Sequence, residues 1–322
     1  MTPERRPAGR RVARARVEAA ARAIHPVFLH SPQYVAEALG ECLGRPVSLK
    51  VETQNPIRSF KGRGADWLVS QAASGVPLAC ASAGNFGQAM AWACRRRGIP
   101  LTVYAAEQAN PLKLSRMRRL GARVVLHGED FDAAKHEARR AALATGTRFV
   151  EDGFDIETLE GAATIALEWL AAPERPDALL IPLGNGALFN GVAGLVKSIA
   201  PEVRTIAVAA AGAPAMVESW RAGRIVRHER IATIADGIGV REPVPQALAD
   251  MDGLVDDALL VGEASILEAM RLLHRHAGLV VEPSGAAGVA ALLEHPEAPF
   301  GTLVGTIVCG ANVTEQQMRD WL

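Results

Sequence analysis

The chain of 322 residues has no surplus of either charge: 35 basic side chains balance 35 acidic ones, and the pI is about 7.1. Beyond the N-terminus no basic stripe offers itself to a nucleic-acid backbone, and no one-signed field favours a membrane surface. Long apolar runs are missing too. No stretch approaches the roughly 20 apolar residues that a membrane span requires. Cysteine is sparse: Cys42, Cys80, Cys94 and Cys309 lie far apart, with no CxxC pair and no metal-ligand spacing. In the absence of an apolar signal segment, these thiols are expected to be free and the chain cytoplasmic. Asn312-Val313-Thr314 matches a glycosylation sequon, which has no meaning in that setting. What is present is a normal globular balance, 49% hydrophobic and 22% charged. That excludes a disordered chain and makes a small molecule the expected partner. The length suffices for one large core or two ordinary ones.

The first 22 residues hold Arg5, Arg6, Arg10, Arg11, Arg14, Arg16 and Arg22, a charge pattern compatible with a transit peptide. The same segment has no serine, and Val12, Val17, Ala20, Ala21 and Ile24 form an apolar stripe, so an N-terminal arm helix is the favoured reading. From Val47 onward, short apolar strands at 47–51, 78–81, 101–105, 123–126 and 147–150 alternate with helices at 62–73, 86–97, 111–120 and 131–144. A second series places helices at 159–171, 188–199, 265–275, 284–293 and 314–321 around strands at 178–182, 204–209 and 303–308. Such alternation predicts βαβ units and parallel sheet, with the two strand series forming two sheets, one per lobe. The Gly/Pro-punctuated stretch 211–257 has no readable order.

One lysine stands out. Lys61 sits in Arg58-Ser59-Phe60-Lys61-Gly62-Arg63-Gly64-Ala65, between the Pro-broken Asn55-Pro56 and a helix start, and only Lys50 and Lys113 are further lysines before residue 135. A surface lysine is the ordinary reading. Ligands in an open parallel sheet bind at loops leaving the carboxyl ends of strands, and three such loops here are unusual in composition. Ser82-Ala83-Gly84-Asn85-Phe86-Gly87 reads either as a turn with an N-cap or as an anion site at a helix N-terminus, with Ser82 and Asn85 as added donors. Gly184-Asn185-Gly186-Ala187-Leu188 follows an apolar strand and precedes a helix, which suits a phosphate cradle. A dinucleotide fingerprint is disfavoured, because Phe189 occupies the third glycine position and no acidic residue ends the strand about 20 residues on. Cys309-Gly310-Ala311-Asn312 follows the last strand, and Cys309 reads by itself as an inert buried thiol.

In their order, the motifs SFKGRGA (59–65), SAGNFGQA (82–89), LGNGAL (183–188), VEPSGAAGVAAL (281–292) and VCGAN (308–312) resemble the fold-type II pyridoxal-phosphate enzymes of the threonine/serine dehydratase and serine racemase group. Arg97-Gly98-Ile99-Pro100, Leu120-Gly121-Ala122, Thr164-Ile165-Ala166-Leu167-Glu168 and Ile234-Ala235-Asp236-Gly237 look like the same group, so the resemblance covers residues 45–315. It implies a two-lobed α/β fold, each lobe a mostly parallel sheet flanked by helices. The large cofactor-binding domain would be 1–77 with 149–322, and 78–148 the small domain with the Asn85 loop. It implies pyridoxal 5′-phosphate as cofactor, held on Lys61 as a Schiff base, with the freed Lys61 acting as general base at Cα. Phe60 would lie against the ring, Asn85 would bond its 3′-oxygen, and Cys309 would face the pyridine nitrogen. Gly184, Asn185, Gly186, Ala187 and Leu188 would cradle the phosphate, and Ser82, Ala83, Gly84 and Asn85 would grip the substrate carboxylate.

The implied reaction is β-elimination of water from threonine, serine or a related amino acid, giving a 2-oxo acid and ammonia. A neutral thiol at the ring nitrogen suits prompt loss of a β-substituent. The alternatives are β-replacement or threonine-synthase-like chemistry, racemisation, and a non-catalytic small-molecule-binding α/β protein. Ala83 stands where racemases of the group carry a serine base, which weighs against racemisation. Asn185 and Ala187 replace two glycines usual in the phosphate loop, and their Cβ atoms narrow the allowed backbone. Ala209-Ala210-Ala211-Gly212-Ala213-Pro214 offers no hard oxygen side chain where some relatives bind a divalent ion, so no metal is expected there. Arg58 replaces a small glycine of the dehydratases' TGSFK. It is either a solvated lip residue or an inward cation favouring an acidic or phosphorylated substrate. A homodimer is the family expectation, and the end at Leu322 is read as leaving no room for a C-terminal regulatory domain.

Overall fold

A computed structural model describes residues 11–109 and 111–322. In chain order the first half contains α1 (Arg14–Ala23), β1 (Gln33–Val35), α2 (Glu37–Leu43), β2 (Val47–Val51), α3 (Lys61–Ser70), β3 (Leu78–Ala81) and α4 (Asn85–Arg97). Then come β4 (Leu101–Ala105), α5 (Pro111–Arg119), β5 (Arg123–Leu126), α6 (Phe131–Thr145), β6 (Arg148–Phe149), α7 (Ile156–Leu170) and β7 (Ala178–Pro182). The chain continues through α8 (Ala187–Ile199), β8 (Arg204–Ala210), α9 (Ala215–Ala222), α10 (Pro245–Asp250) and β9 (Asp257–Val261). It closes with α11 (Glu263–Ala277), α12 (Pro283–Glu294), β10 (Val304–Val308) and α13 (Glu315–Trp321).

The strands form two sheets. The larger has the order β1-β2-β10-β7-β8-β9, parallel except for β1 against β2, and the smaller is β5-β4-β3-β6, parallel throughout. Every residue of β2, β7 and β10 is buried, because helices cover both faces of the sheet; β7 (ALLIP) is apolar throughout, while β2 carries the buried Ser48 and Lys50 and β10 the buried Thr306. One face packs on α7 and α8, through Trp169 and Phe189 among others, and the opposite face on α11 and α12. A third core lies on the small sheet and draws in Ala20 of α1 and Trp67 and Leu68 of α3. Those two helices therefore belong to the packing of the small sheet as well as that of the large one.

α3 crosses α7 with almost no side-chain spacer. A Cβ on Gly161 would stand 2.4 Å from the Cα of Gly64, so only glycine allows this approach. The crossing fixes the helix whose first residue is Lys61. At its base Arg63, 0% exposed, donates to Glu52 at 2.8 Å and to Glu168 at 2.7 Å, while Lys50 donates to Glu168 at 2.6 Å.

The arm helix is α1, with Val17 and Ala20 buried and Arg16 donating to both carboxylate oxygens of Glu160 at 2.9 Å. Arg5, Arg6 and Arg10 of the arginine cluster lie outside the described residues. β1, α2, α9, α10 and β9 are elements the sequence pattern did not announce. They are short, and β9 is an edge strand with only two of its five residues buried, so neither period is sustained. α7 starts at Ile156, ahead of the apolar periodicity, because its first turn is held by a polar contact: the Thr158 hydroxyl donates to the Asp155 carbonyl at 2.7 Å. Among the described residues no helix is long and apolar enough to cross a membrane.

Candidate active site

The carboxyl ends of both sheets face a cavity of about 590 Å³. It is lined by the turn after β2 (Phe60, Lys61), the loop after β3 (Ser82, Ala83, Gly84, Asn85), the loop after β7 (Gly184–Leu188) and the end of β10 (Cys309). The residues expected to hold cofactor and substrate thus border one space. Sequence separation had hidden this, since the loops span residues 60 to 309.

Lys61 is aimed there by its approach. The Asn55 side chain folds the turn, accepting from the Ile57 amide at 3.1 Å and donating to the carbonyls of Glu52 and Ser59 at 2.8 and 3.2 Å. The segment then runs along the end of β10: the Phe60 amide donates to the Cys309 carbonyl at 3.1 Å, and the Ala311 amide to the Arg58 carbonyl at 2.9 Å. Lys61 Nζ lies 4.5 Å from the centroid of the Phe60 ring and 2.5 Å from Asp152 Oδ2.

In the loop after β3, Ser82 Oγ accepts from the amides of Gly84 and Gly87 at 3.2 and 2.9 Å, which closes the turn into α4. Asn85 is held from two sides: it donates to Glu282 Oε1 at 2.7 Å and accepts from Asn312 Nδ2 at 2.8 Å. Glu282 also accepts from the Asn312 amide at 2.9 Å. Burial, and then the charge of Asp236, push the Glu282 carboxyl above its ordinary range.

The loop after β7 tolerates its two side chains. Only Gly186 has a positive φ, +87°, while Asn185 and Ala187 lie outside the left-handed region. Gly184 is needed for space, since a Cβ there would approach the Gly237 carbonyl oxygen to 2.9 Å. Gly186 precedes α8 with no side-chain cap, so the helix's first amides and its dipole are open to an anion. Cys309 is buried at the end of β10, and burial, followed by the charge of Glu282, pushes its thiol well up, so it stays neutral. Nearby lining includes Ser284, whose hydroxyl is buried with no hydrogen-bond partner.

Arg58 departs from the inward reading. It is exposed, with φ +52°, and lines a separate cavity of about 340 Å³ with Arg95, Arg116 and Arg119. It brings no cation to the main cavity. Other residues of that cavity escaped the sequence reading: Asp152, Glu282 and Ser284 beside the expected loops, and the pairs Lys113–Asp236 and Arg241–Asp132 at its sides. Glu282 and Ser284 lie inside the 281–292 motif, where nothing local marks them; Asp152 sits in an irregular turn with no periodic signal. Among the described residues no group of three or more His, Cys, Asp or Glu is placed to hold a metal ion. The four cysteines are free thiols.

Against known proteins, the family model described as "Pyridoxal-phosphate dependent enzyme" matches residues 28–310. An L-threonine ammonia-lyase of Thermotoga maritima is 34% identical over 300 residues, 92% of this chain and 75% of that protein. A serine racemase of Arabidopsis thaliana is 31% identical, with 92% of each chain covered. The crystal structure of a threonine deaminase from T.th. superposes with a TM-score of 0.88 at 32% identity, over 94% of this chain and 99% of that one.

Proposed function

The chain belongs to the pyridoxal-phosphate-dependent enzyme family, and we propose that within it this protein is an ammonia-lyase that eliminates water from threonine or serine. The observation that carries the reading is the meeting of Lys61, the Asn85 loop, the Gly186 loop and a neutral Cys309 around one cavity. These residues fit the cofactor. Lys61 offers the amine for its carbonyl carbon, the amides of 184–188 and the α8 N-terminus suit its phosphate, and Asn85 and Cys309 suit the ring oxygen and ring nitrogen. The unpartnered hydroxyl of Ser284 beside Cys309 fits a polar ring atom as well. Bound there, the cofactor supplies an electron sink that weakens the Cα–H bond of an attached amino acid.

The chain's own side chains do the rest. Lys61 Nζ takes the Cα proton. The loop of Ser82, Ala83, Gly84 and Asn85 holds the substrate carboxylate at the start of α4, where the helix dipole favours an anion. Cys309, kept a thiol by burial, places no charge at the ring nitrogen, which suits loss of the β-substituent. The enamine-type product hydrolyses to a 2-oxo acid and ammonia. Racemisation has the support of the serine racemase relative, yet Ala83 has no proton to give from the second face. The same reading takes 78–148 as a small domain built on its own parallel sheet. It also takes the protein as a cytoplasmic homodimer, supported by the free thiols and by the resemblance.

The purified protein should show a visible band at about 410 nm, fixed on Lys61 by borohydride and absent from Lys61→Ala. Threonine or serine should release ammonia and 2-oxo acid with no added nucleophile. A protein that stays colourless after addition of the cofactor would sink the reading.

A further inference from the structure

We propose that Asp152 is a catalytic acid of this site, which receives the proton gathered by Lys61 and delivers it to the departing β-hydroxyl. The inference rests on the elimination reading above and deepens it. Loss of a hydroxyl is slow unless its oxygen is protonated as the bond breaks, so the site needs an acid near the β-carbon.

The carboxylates of the cavity differ in what engages them. Asp132 accepts from Arg241 at 3.0 and 2.5 Å, Asp130 pairs with the same guanidinium at 3.1 Å, and Asp236 pairs with Lys113. Both oxygens of Glu282 are taken, by Asn85 and by the Asn312 amide. Asp152 is different. Its Oδ2 stands 2.5 Å from Lys61 Nζ, and its Oδ1 is buried with no hydrogen-bond partner. A buried carboxylate oxygen left without a donor is costly and calls for a partner from outside the chain.

The position is also held firmly. Gly153 has φ +80°, and a Cβ there would stand 1.9 Å from the Asn185 carbonyl oxygen, so this turn is pressed against the loop after β7. On the other side the Glu151 amide donates to Asp155 at 2.7 Å, and the Glu151 carboxylate pairs with Lys135 and Arg139. Asp152 is therefore fixed between the amine and the loop after β7.

The step balances. The Cα–H bond breaks and its proton goes to Lys61 Nζ, while its electrons form the Cα–Cβ double bond. Lys61 passes that proton to Asp152 Oδ2. The Cβ–O bond breaks, its electrons stay on oxygen, Asp152 gives that oxygen the proton it has just received, and water leaves, so both side chains end as they began.

The test compares two leaving groups, hydroxide from serine and chloride from β-chloroalanine, since chloride departs without a proton. In the cofactor-loaded enzyme, Asp152→Asn should lower kcat for serine by about 10²- to 10³-fold and that for β-chloroalanine by less than about fivefold. The visible band of the resting variant should keep its wild-type intensity, and mixing with serine should build up a long-wavelength absorbance that the wild type does not accumulate. Equal losses with both substrates would overturn the proposal, because they would mean that Asp152 only positions Lys61. Should the variant fail to fold, the wild type decides: a solvent deuterium effect larger for serine than for β-chloroalanine supports the relay, and equal effects overturn it. A wild type that processes neither amino acid overturns the elimination reading and the relay with it.

Discussion

Arg58 occupies the left-handed region at φ +52°, where the dehydratases' motif has glycine. A side chain there costs roughly 1–2 kcal/mol, against the roughly 0.5–1 kcal/mol of extra chain entropy that glycine loses on folding. Arg58→Gly should therefore stabilise the protein by up to about 1 kcal/mol in denaturant unfolding. Because the side chain lines the smaller cavity and not the main one, turnover should stay at its wild-type value. Single residues were legible in proportion to their local setting. Lys61 could be picked out from its motif and its position at a helix start. Asp152 could not, because its importance comes from a partner 91 residues away in sequence.

At the scale of elements, α3 is the helix on which the site depends, and it stands on a buried charge network. Arg63 is engaged by Glu52, Glu168 and the hydroxyls of Thr164 and Ser31. Burial alone would raise the Glu168 carboxyl, but the hydrogen bond and charge of Arg63, then those of Lys50, outweigh it and hold it at about 2. A depressed carboxyl stabilises the fold at pH above its unfolded value, about 4.3, and the gain disappears as pH falls through about 2. Arg63→Ala leaves the buried Glu52 carboxylate without a cation and Glu168 with Lys50 alone. It should cost about 3–5 kcal/mol in denaturant unfolding and move acid unfolding to higher pH. This network was not readable from the sequence, since Lys50 and Arg63 stand there as ordinary cations within a strand and a helix. The longer helices were readable, with boundaries moved by one to three residues, as at α3, α7 and α11, while the short α2, α9 and α10 were not.

At the scale of the molecule, the cavity lies between two sheets and is bridged by side chains from both. Arg241, in the segment between α9 and α10, reaches Asp130 and Asp132 at the start of α6, and Asp236 of the same segment pairs with Lys113 of α5. These pairs are partly exposed, so each contributes at most about 1 kcal/mol to global stability. They should matter more for local order. Arg241→Ala should leave the unfolding midpoint nearly unchanged and accelerate amide hydrogen exchange across residues 228–242. An exchange rate there equal to the wild type's would show that other contacts hold the segment.

The sequence by itself determined the fold class and marked the loops that border the main cavity. Buried parallel strands must be mostly apolar, helices must show one apolar face, and glycine-rich turns with a lysine at a helix start leave their mark locally. It also placed Cys309 at a strand end, where burial keeps the thiol neutral. Tertiary structure decided which charges meet. It turned Arg58 away from the cavity, closed Glu282 against Asn85 and Asn312, and set Asp152 against Lys61. Charge pairing depends on distances across the fold, and no periodicity along the chain records them.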